Sequence, residues 1–138
     1  MPLEMSDYNR QIIEEFRAHG GAVGGTWEGR DLLLLTTTGR KSGRLHTTPM
    51  VYTRDENRLL VYASKGGAPN HPDWYLNLAA DPQVVVEVGS ERYDAIATPL
   101  AGEERDREFA LQTERRPQFG EYQKQTSRVI PVVALRRA

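Results

Sequence analysis

The stretch Asp31-Leu32-Leu33-Leu34-Leu35-Thr36-Thr37-Thr38, closed by Gly39, decides the fold. An apolar run passing into β-branched threonines suits a pleated, largely buried strand. Across the short glycine-bounded loop Gly39-Arg40-Lys41-Ser42-Gly43-Arg44, the segment Leu45 to Thr53 follows as a second strand, so the pair reads as a hairpin. Asp55-Glu56-Asn57 turns the chain into Leu59-Leu60-Val61-Tyr62-Ala63, a third strand that stops at Ser64-Lys65-Gly66-Gly67. Gln83 to Val88 and Glu91 to Pro99 form a second hairpin across Gly89-Ser90, and Val129 to Leu135 is a closing strand. Six strands linked mainly by hairpins predict a mainly β (α+β) fold: an antiparallel sheet curled into a small barrel, with helices flanking it.

Outward from the sheet, Ser6 can cap a helix from Asp7 to about His19, with Ile12, Ile13 and Phe16 on one stripe. Four glycines between Gly20 and Gly25 make a flexible joint, which favours a loosely docked terminus over a cover lying on the body. Pro72 starts a helix from Asp73 to Ala80 that Asp81-Pro82 ends. Glu103 to Arg115 reads as a charged helix, and Pro117 opens another to about Ser127. The chain thus divides into residues 1–25, a helix and joint, and residues 26–138, the barrel, within a single domain overall.

At 138 residues such a domain can bury roughly two thirds of the surface its unfolded chain exposes, so it can fold without staples. The absence of cysteine excludes disulfides, thiolate nucleophiles and cysteine-ligated metal sites, so redox chemistry must come from a bound organic cofactor. No apolar run approaches the roughly 20 residues of a membrane span, and no secretory signal pattern opens the chain, which points to a cytoplasmic protein. Between Leu32 and Pro72, six basic residues (Arg40, Lys41, Arg44, Arg54, Arg58, Lys65) face two acids (Asp55, Glu56), giving +4 there and -5 elsewhere in a chain of net charge -1. A local basic segment in an acidic chain suits a small anionic ligand rather than nucleic acid, whose binding needs a wide basic face.

Four segments could carry chemistry. Gly39 to Arg44 is not a Walker loop, since the spacing is wrong and no helix follows, but it offers cations, a hydroxyl and glycine-freed amides that suit a phosphate or carboxylate. The plain alternative is a charged hairpin tip, and the segment alone does not choose. Ser64-Lys65-Gly66-Gly67 ends a strand expected to pair beside the first hairpin, so Lys65 could converge with Lys41 and Arg44, its glycines letting a ligand approach the backbone. Trp74 and Leu78 share a helical face beside Asn77, as a core anchor or as the wall of a flat-ring site. Phe119, Tyr122 and Thr126 share a face of the late helix, from which Tyr122 could reach a substrate or simply pack. His19, His46 and His71 lack metal-ligand spacing, and neither a nucleophile elbow nor a paired acidic motif is present.

Three motifs in register, Leu34 to Gly43, Ala63 to Gly67, and Asn70-His71-Pro72-Asp73-Trp74-Tyr75-Leu76-Asn77-Leu78, resemble the deazaflavin-dependent nitroreductase family. The likeness extends from Asn9-Arg10-Gln11-Ile12-Ile13-Glu14-Glu15-Phe16 to Ile130-Pro131-Val132-Val133, nearly the whole chain. The resemblance implies a split β-barrel of the FMN-binding kind, with reduced coenzyme F420 as hydride donor and quinones, nitroaromatics or activated enones as acceptors. By position it implies that Lys41 and Lys65 bind the cofactor's anionic tail, helped by the Ser42 and Gly43 amides and neighbours Arg40, Arg44 and His46. Ala63, Ser64, Gly66, Pro72, Asp73, Trp74 and Asn77 would surround the deazaflavin, and Tyr122, with Ser64, would act on the substrate. His46 stands where the family's best-known member has an arginine, a departure at the tail contact that Arg44 is placed to make instead, and Gln125 replaces an aromatic on the substrate face, which points to a different substrate range. Two rivals remain: a carrier of the same fold that turns nothing over, and an FMN-dependent oxidase, since FMN also carries a phosphate. Oligomeric state and peripheral membrane contact are left open.

Overall fold

The computed structural model describes residues 5–138, apart from the side chains at positions 5–7 and 26. Seven strands form one antiparallel sheet: β1 Leu32–Thr38, β2 Leu45–Val51, β3 Thr53–Asp55, β4 Arg58–Tyr62, β5 Gln83–Val88, β6 Glu91–Pro99 and β7 Val132–Arg137. Four α-helices flank it: α1 Met5–Ala18, α2 Asp73–Ala80, α3 Gly102–Arg115 and α4 Gln118–Lys124.

The spatial order is β2-β1-β5-β6-β7-β4-β3. The two edge strands, β2 and β3, are therefore consecutive in the chain and separated only by Tyr52, whose N–H donates to the Asp31 carbonyl. A sheet whose opposite edges are joined by one residue must curl until they meet there. Away from Tyr52 the edges diverge, which makes the barrel open. The expected second strand is thus two: the chain leaves one edge at Val51 and joins the other at Thr53, a break that composition does not signal. Pro49, which lacks a ladder donor, sits on edge strand β2, where that donor is dispensable.

Alternation along the strands builds three apolar clusters. Leu33 and Leu35 of β1 point inward with Leu59, Val61, Val86, Val133 and Leu135 to fill the half-barrel. Leu32 and Leu34 point outward under α1, where Phe16 is 1% exposed. Leu60, Tyr62, Val132 and Ala134 point outward under α3 and α4, against Phe109 and Phe119. Both outer coverings allow β1 and β4 to be apolar on both faces.

Several sequence expectations need correction. Helix α1 is a docked cover rather than a loose terminus: besides Phe16, Arg17 forms a two-pronged ion pair with the buried Glu87 at 2.8 and 3.0 Å. It is already formed at Met5, so Ser6 lies within it, and the cap expected of the Ser6 side chain lies outside the described residues. Helix α4 stops at Lys124, so Thr126 lies beyond it and its hydroxyl instead accepts from the Arg128 N–H. The last strand begins at Val132, because Val129 is exposed and Pro131 cannot donate to a ladder.

Candidate functional site

Following the antiparallel pairings from β1 through β5, β6 and β7 to β4 shows that β1 and β4 run in the same direction. Their ends, Gly39 and Ala63, therefore lie at the same end of the half-barrel. The expectation that β4 pairs beside the first hairpin is not met, since β4 lies between β7 and β3. What brings the two basic loops to one end is strand direction.

On the β1 side, a cleft of about 920 Å³ opens between α1, the 39–44 loop, β2 and α2. Its lining includes Arg40, Lys41, Ser42, His46, Asp73, Trp74 and Asn77, seven of the residues singled out from the sequence. Arg10 and Arg17 of α1 also line it, giving four cations (Arg10, Arg17, Arg40, Lys41) against one carboxylate (Asp73). Gly43, Arg44, Ala63, Ser64, Lys65, Gly66, Pro72 and Tyr122 do not line this cleft.

The loop is locally specified. The Gly39 N–H donates to the Arg44 carbonyl at 2.7 Å, the Gly43 N–H to the Gly39 carbonyl, and the Arg44 N–H to the Ser42 hydroxyl. Gly43 takes a φ of 72°, where glycine carries no Cβ penalty. A Cβ at Gly39 would come within 2.8 Å of both Ser42 Oγ and His46 Nε2, so glycine lets these side chains close over the turn. Asn77, 4% exposed, accepts from the Arg40 guanidinium at 2.9 Å and its backbone N–H at 3.2 Å, and donates to the Thr37 hydroxyl. The Arg40 guanidinium also reaches Asp73 at 3.4 Å. Asn77 and Asp73 thus latch α2 onto the basic loop. Trp74 is half-buried, packed against the barrel core on one side and lining the cleft on the other.

On the β4 side, Ser64 is right-handed (φ −75°), while Lys65, Gly66 and Gly67 have φ of 47°, 62° and 84°. The Arg128 guanidinium stabilises this reversal, donating to the carbonyls of Ser64 (2.7 Å), Ala68 (2.8 Å) and Ala63 (3.1 Å), with His71 Nδ1 as a fourth partner at 3.0 Å. Burial, and then the Arg128 charge, hold the His71 pKa below its ordinary value. The close approach expected of a ligand at the glycine pair is made at Gly67 by α4: a Cβ there would meet the Tyr122 carbonyl at 2.8 Å and Gln125 Oε1 at 2.9 Å. Gly66 has open space around it. Tyr122 is half-buried, its ring edge-on to Phe119 at 5.5 Å. Sequence reading missed Arg17 and Arg128, because their partners lie 70 and 57 to 65 residues away.

Residues 8–137 match the F420H(2)-dependent quinone reductase family. The chain belongs to that family. An F420H(2)-dependent quinone reductase of Mycobacterium tuberculosis strain H37Rv is 40% identical over 126 residues, covering 88% of this chain and 85% of the relative. The solved F420-H2 dependent reductase FDR-A is 41% identical over 77% of this chain and 94% of its own, with a TM-score of 0.69. A structure solved as a domain-swapped dimer is 37% identical over 96% and 99%, with a TM-score of 0.71. At 18% identity, the haem storage protein HutZ of Vibrio cholerae shares the fold alone, with a TM-score of 0.60 over 94% of this chain and 90% of its own. As a member of the family the chain is an oxidoreductase that uses reduced coenzyme F420, within a split-barrel-like fold. No helix of the described residues is long and apolar enough to cross a membrane.

Proposed function

We propose that this member of the family passes a hydride from reduced coenzyme F420 to a quinone, with nitroaromatics and activated enones as further acceptors. The observation that carries the reading is the cleft between α1, the basic loop and α2, lined by four cations, of which Arg17 is paired with Glu87 and Arg40 with Asp73, with a tryptophan face beside them. The coenzyme has a flat ring and an anionic tail, and this lining offers a partner for each, so the residues fit it. When bound, it supplies the hydride; the protein supplies position and charge.

In this reading Lys41 holds the tail's phosphate or glutamate carboxylates, aided by the Ser42 and Gly43 amides, with His46 and Arg44 close by. Lys41 is exposed and has no ion-pair partner among the described residues, which leaves its ammonium available. Lys65 acts from the β4 wall at the same barrel end, with Ala63, Ser64, Gly66 and Pro72 forming that side of the ring site. Trp74 gives the ring an apolar face. Asn77 and Asp73 act through Arg40, holding the loop in the shape that presents Lys41. Tyr122 and Ser64 orient the acceptor, and Tyr122 or a water returns the proton that accompanies the hydride. Leu45, 68% exposed on the cleft lining, offers an apolar edge to a quinone-like acceptor and to peripheral contact with a lipid surface.

The test is a fluorescence titration with coenzyme F420, FMN as competitor, followed by turnover with a menaquinone analogue. A charge-assisted contact is worth roughly 1.5–3 kcal/mol, so Lys41→Ala should weaken coenzyme binding about ten- to a hundredfold. Unchanged affinity in that variant would remove Lys41 from the site. Preference for FMN, or tight binding of the reduced coenzyme without oxidation by quinone, would overturn the reductase reading.

A further inference from the structure

A second cavity, of about 430 Å³, lies at the Tyr52 corner, between the β2–β3 junction and the C-terminal turn of α3. It shares no residue with the cleft described above. Arg54, Arg115 and Arg116 line it, with Asp31 as the one carboxylate, a balance of +3 and −1, or +2. None of the three guanidinium groups has a carboxylate within ion-pair distance among the described residues, whereas Arg17, Arg40, Arg58, Arg105 and Arg137 all do.

Gln112 completes the lining. It is 1% exposed, and neither its Nε2 nor its Oε1 has a hydrogen-bond partner; among the described residues no other buried side chain is left so. A buried primary amide with both groups unmet costs free energy that the fold does not recover internally, and a ligand or water must meet it. Its donor and acceptor lie side by side. They match the adjacent acceptor and donor of a flat heterocycle, as a glutamine pairs with adenine. The neighbouring guanidinium groups suit a phosphate. The volume falls in the usual range for small-molecule sites.

We propose that this corner cavity is a second ligand site, for a small organic anion of the nucleoside monophosphate class. The arginines hold the phosphate, and the Gln112 side chain, whose amide atoms are buried in the free protein, turns into the cavity to pair with the heterocycle edge. The site is independent of the coenzyme cleft and of the reading given to that cleft.

The experiment follows the side-chain amide signal of Gln112 by nitrogen–proton NMR while AMP, and separately inorganic phosphate, is added to full-length protein saturated with coenzyme F420. The expected result is saturable AMP binding that shifts the Gln112 amide and persists with coenzyme bound. Arg115→Ala with Arg116→Ala, at an exposed and a half-buried position, should weaken AMP by at least about tenfold, with the fold checked by thermal denaturation. Gln112→Leu, similar in shape, should weaken AMP but leave inorganic phosphate unchanged, with its fold checked by thermal denaturation. Three results each overturn the proposal: no shift with AMP at millimolar concentration, AMP displaced by the coenzyme, or phosphate binding as well as AMP with the Gln112 amide unmoved.

Discussion

Arg128 shows how much one side chain organises. Its guanidinium meets three carbonyls and a ring nitrogen on the 63–71 segment, so its removal takes a donor from all four at once and strands the buried Ala63 carbonyl, while the Ser64 carbonyl keeps the Gly67 N–H. Arg128→Ala is expected to cost about 3 kcal/mol, from a buried acceptor penalty of roughly 1–3 kcal/mol per group with partial rescue by water. Arg128→Lys recovers little, since a point charge cannot fork. Urea unfolding of both variants checks this. His71 adds a pH signature. Because its folded-state pKa lies below the unfolded value of about 6.5, the unfolded chain takes up the proton first, and stability is fully present above that value. It then falls as pH drops toward the depressed folded-state pKa, and His71→Gln should flatten that slope. An unchanged slope in urea titrations between neutral and mildly acid pH would contradict the assignment. The segments that hold Lys41, Trp74 and Asn77 stand out in the sequence, and all three residues line the cleft; Arg128 does not stand out, because nothing near it in the chain hints at the carbonyls it serves.

The same contrast holds for whole elements. Strands β1, β5 and β6 and helices α2 and α3 were readable because their own alternation or caps define them. The docking of α1 was misjudged from its glycine joint. Its anchors, Phe16 in the Leu32 and Leu34 cluster and Arg17 on Glu87, are tertiary. Phe16→Ala should cost about 3–5 kcal/mol, and because Arg10 and Arg17 line the cleft, it should weaken coenzyme binding in the same preparation. A variant that unfolds more easily yet binds undiminished would separate α1 from the site. Helix α3 carries a second element-level device. Arg58, with its side chain 8% exposed, pairs with Asp55 at 2.9 Å and Glu104 at 3.2 Å, with Glu108 at 3.9 Å. Burial works to lower its pKa, and the hydrogen bonds and charges of Asp55 and Glu104 outweigh that effect. Arg58→Ala takes the buried counter-charge from Glu108 and leaves it only the exposed Arg107 at 3.7 Å, so it should cost about 3 kcal/mol; adding Glu108→Leu should recover part of it in a double-mutant cycle.

For the molecule as a whole, net charge is a poor guide and charge placement a good one. A chain of net charge −1 concentrates four cations on one cleft. Coenzyme association should therefore slow and weaken as salt rises toward the range where the Debye length falls below about 8 Å. Stopped-flow fluorescence across a salt series tests this, and a flat response would argue that the tail is not held by charge. The barrel class and its antiparallel pairing followed from the hairpin signals, but the openness did not, because it depends on the one-residue junction at Tyr52.

That junction has a mechanical consequence. Strand β1 with β2 and strand β4 with β3 are two jaws, and across the split a single residue holds them together, as the spring of a clothes-peg does. Tyr52 lies opposite the start of β1 but level with Val61 near the end of β4, so the 39–44 loop rides a full strand length from the pivot while the 64–67 loop sits close to it, and a small torsion at Tyr52 is levered chiefly at the 39–44 loop, where the coenzyme tail would be gripped.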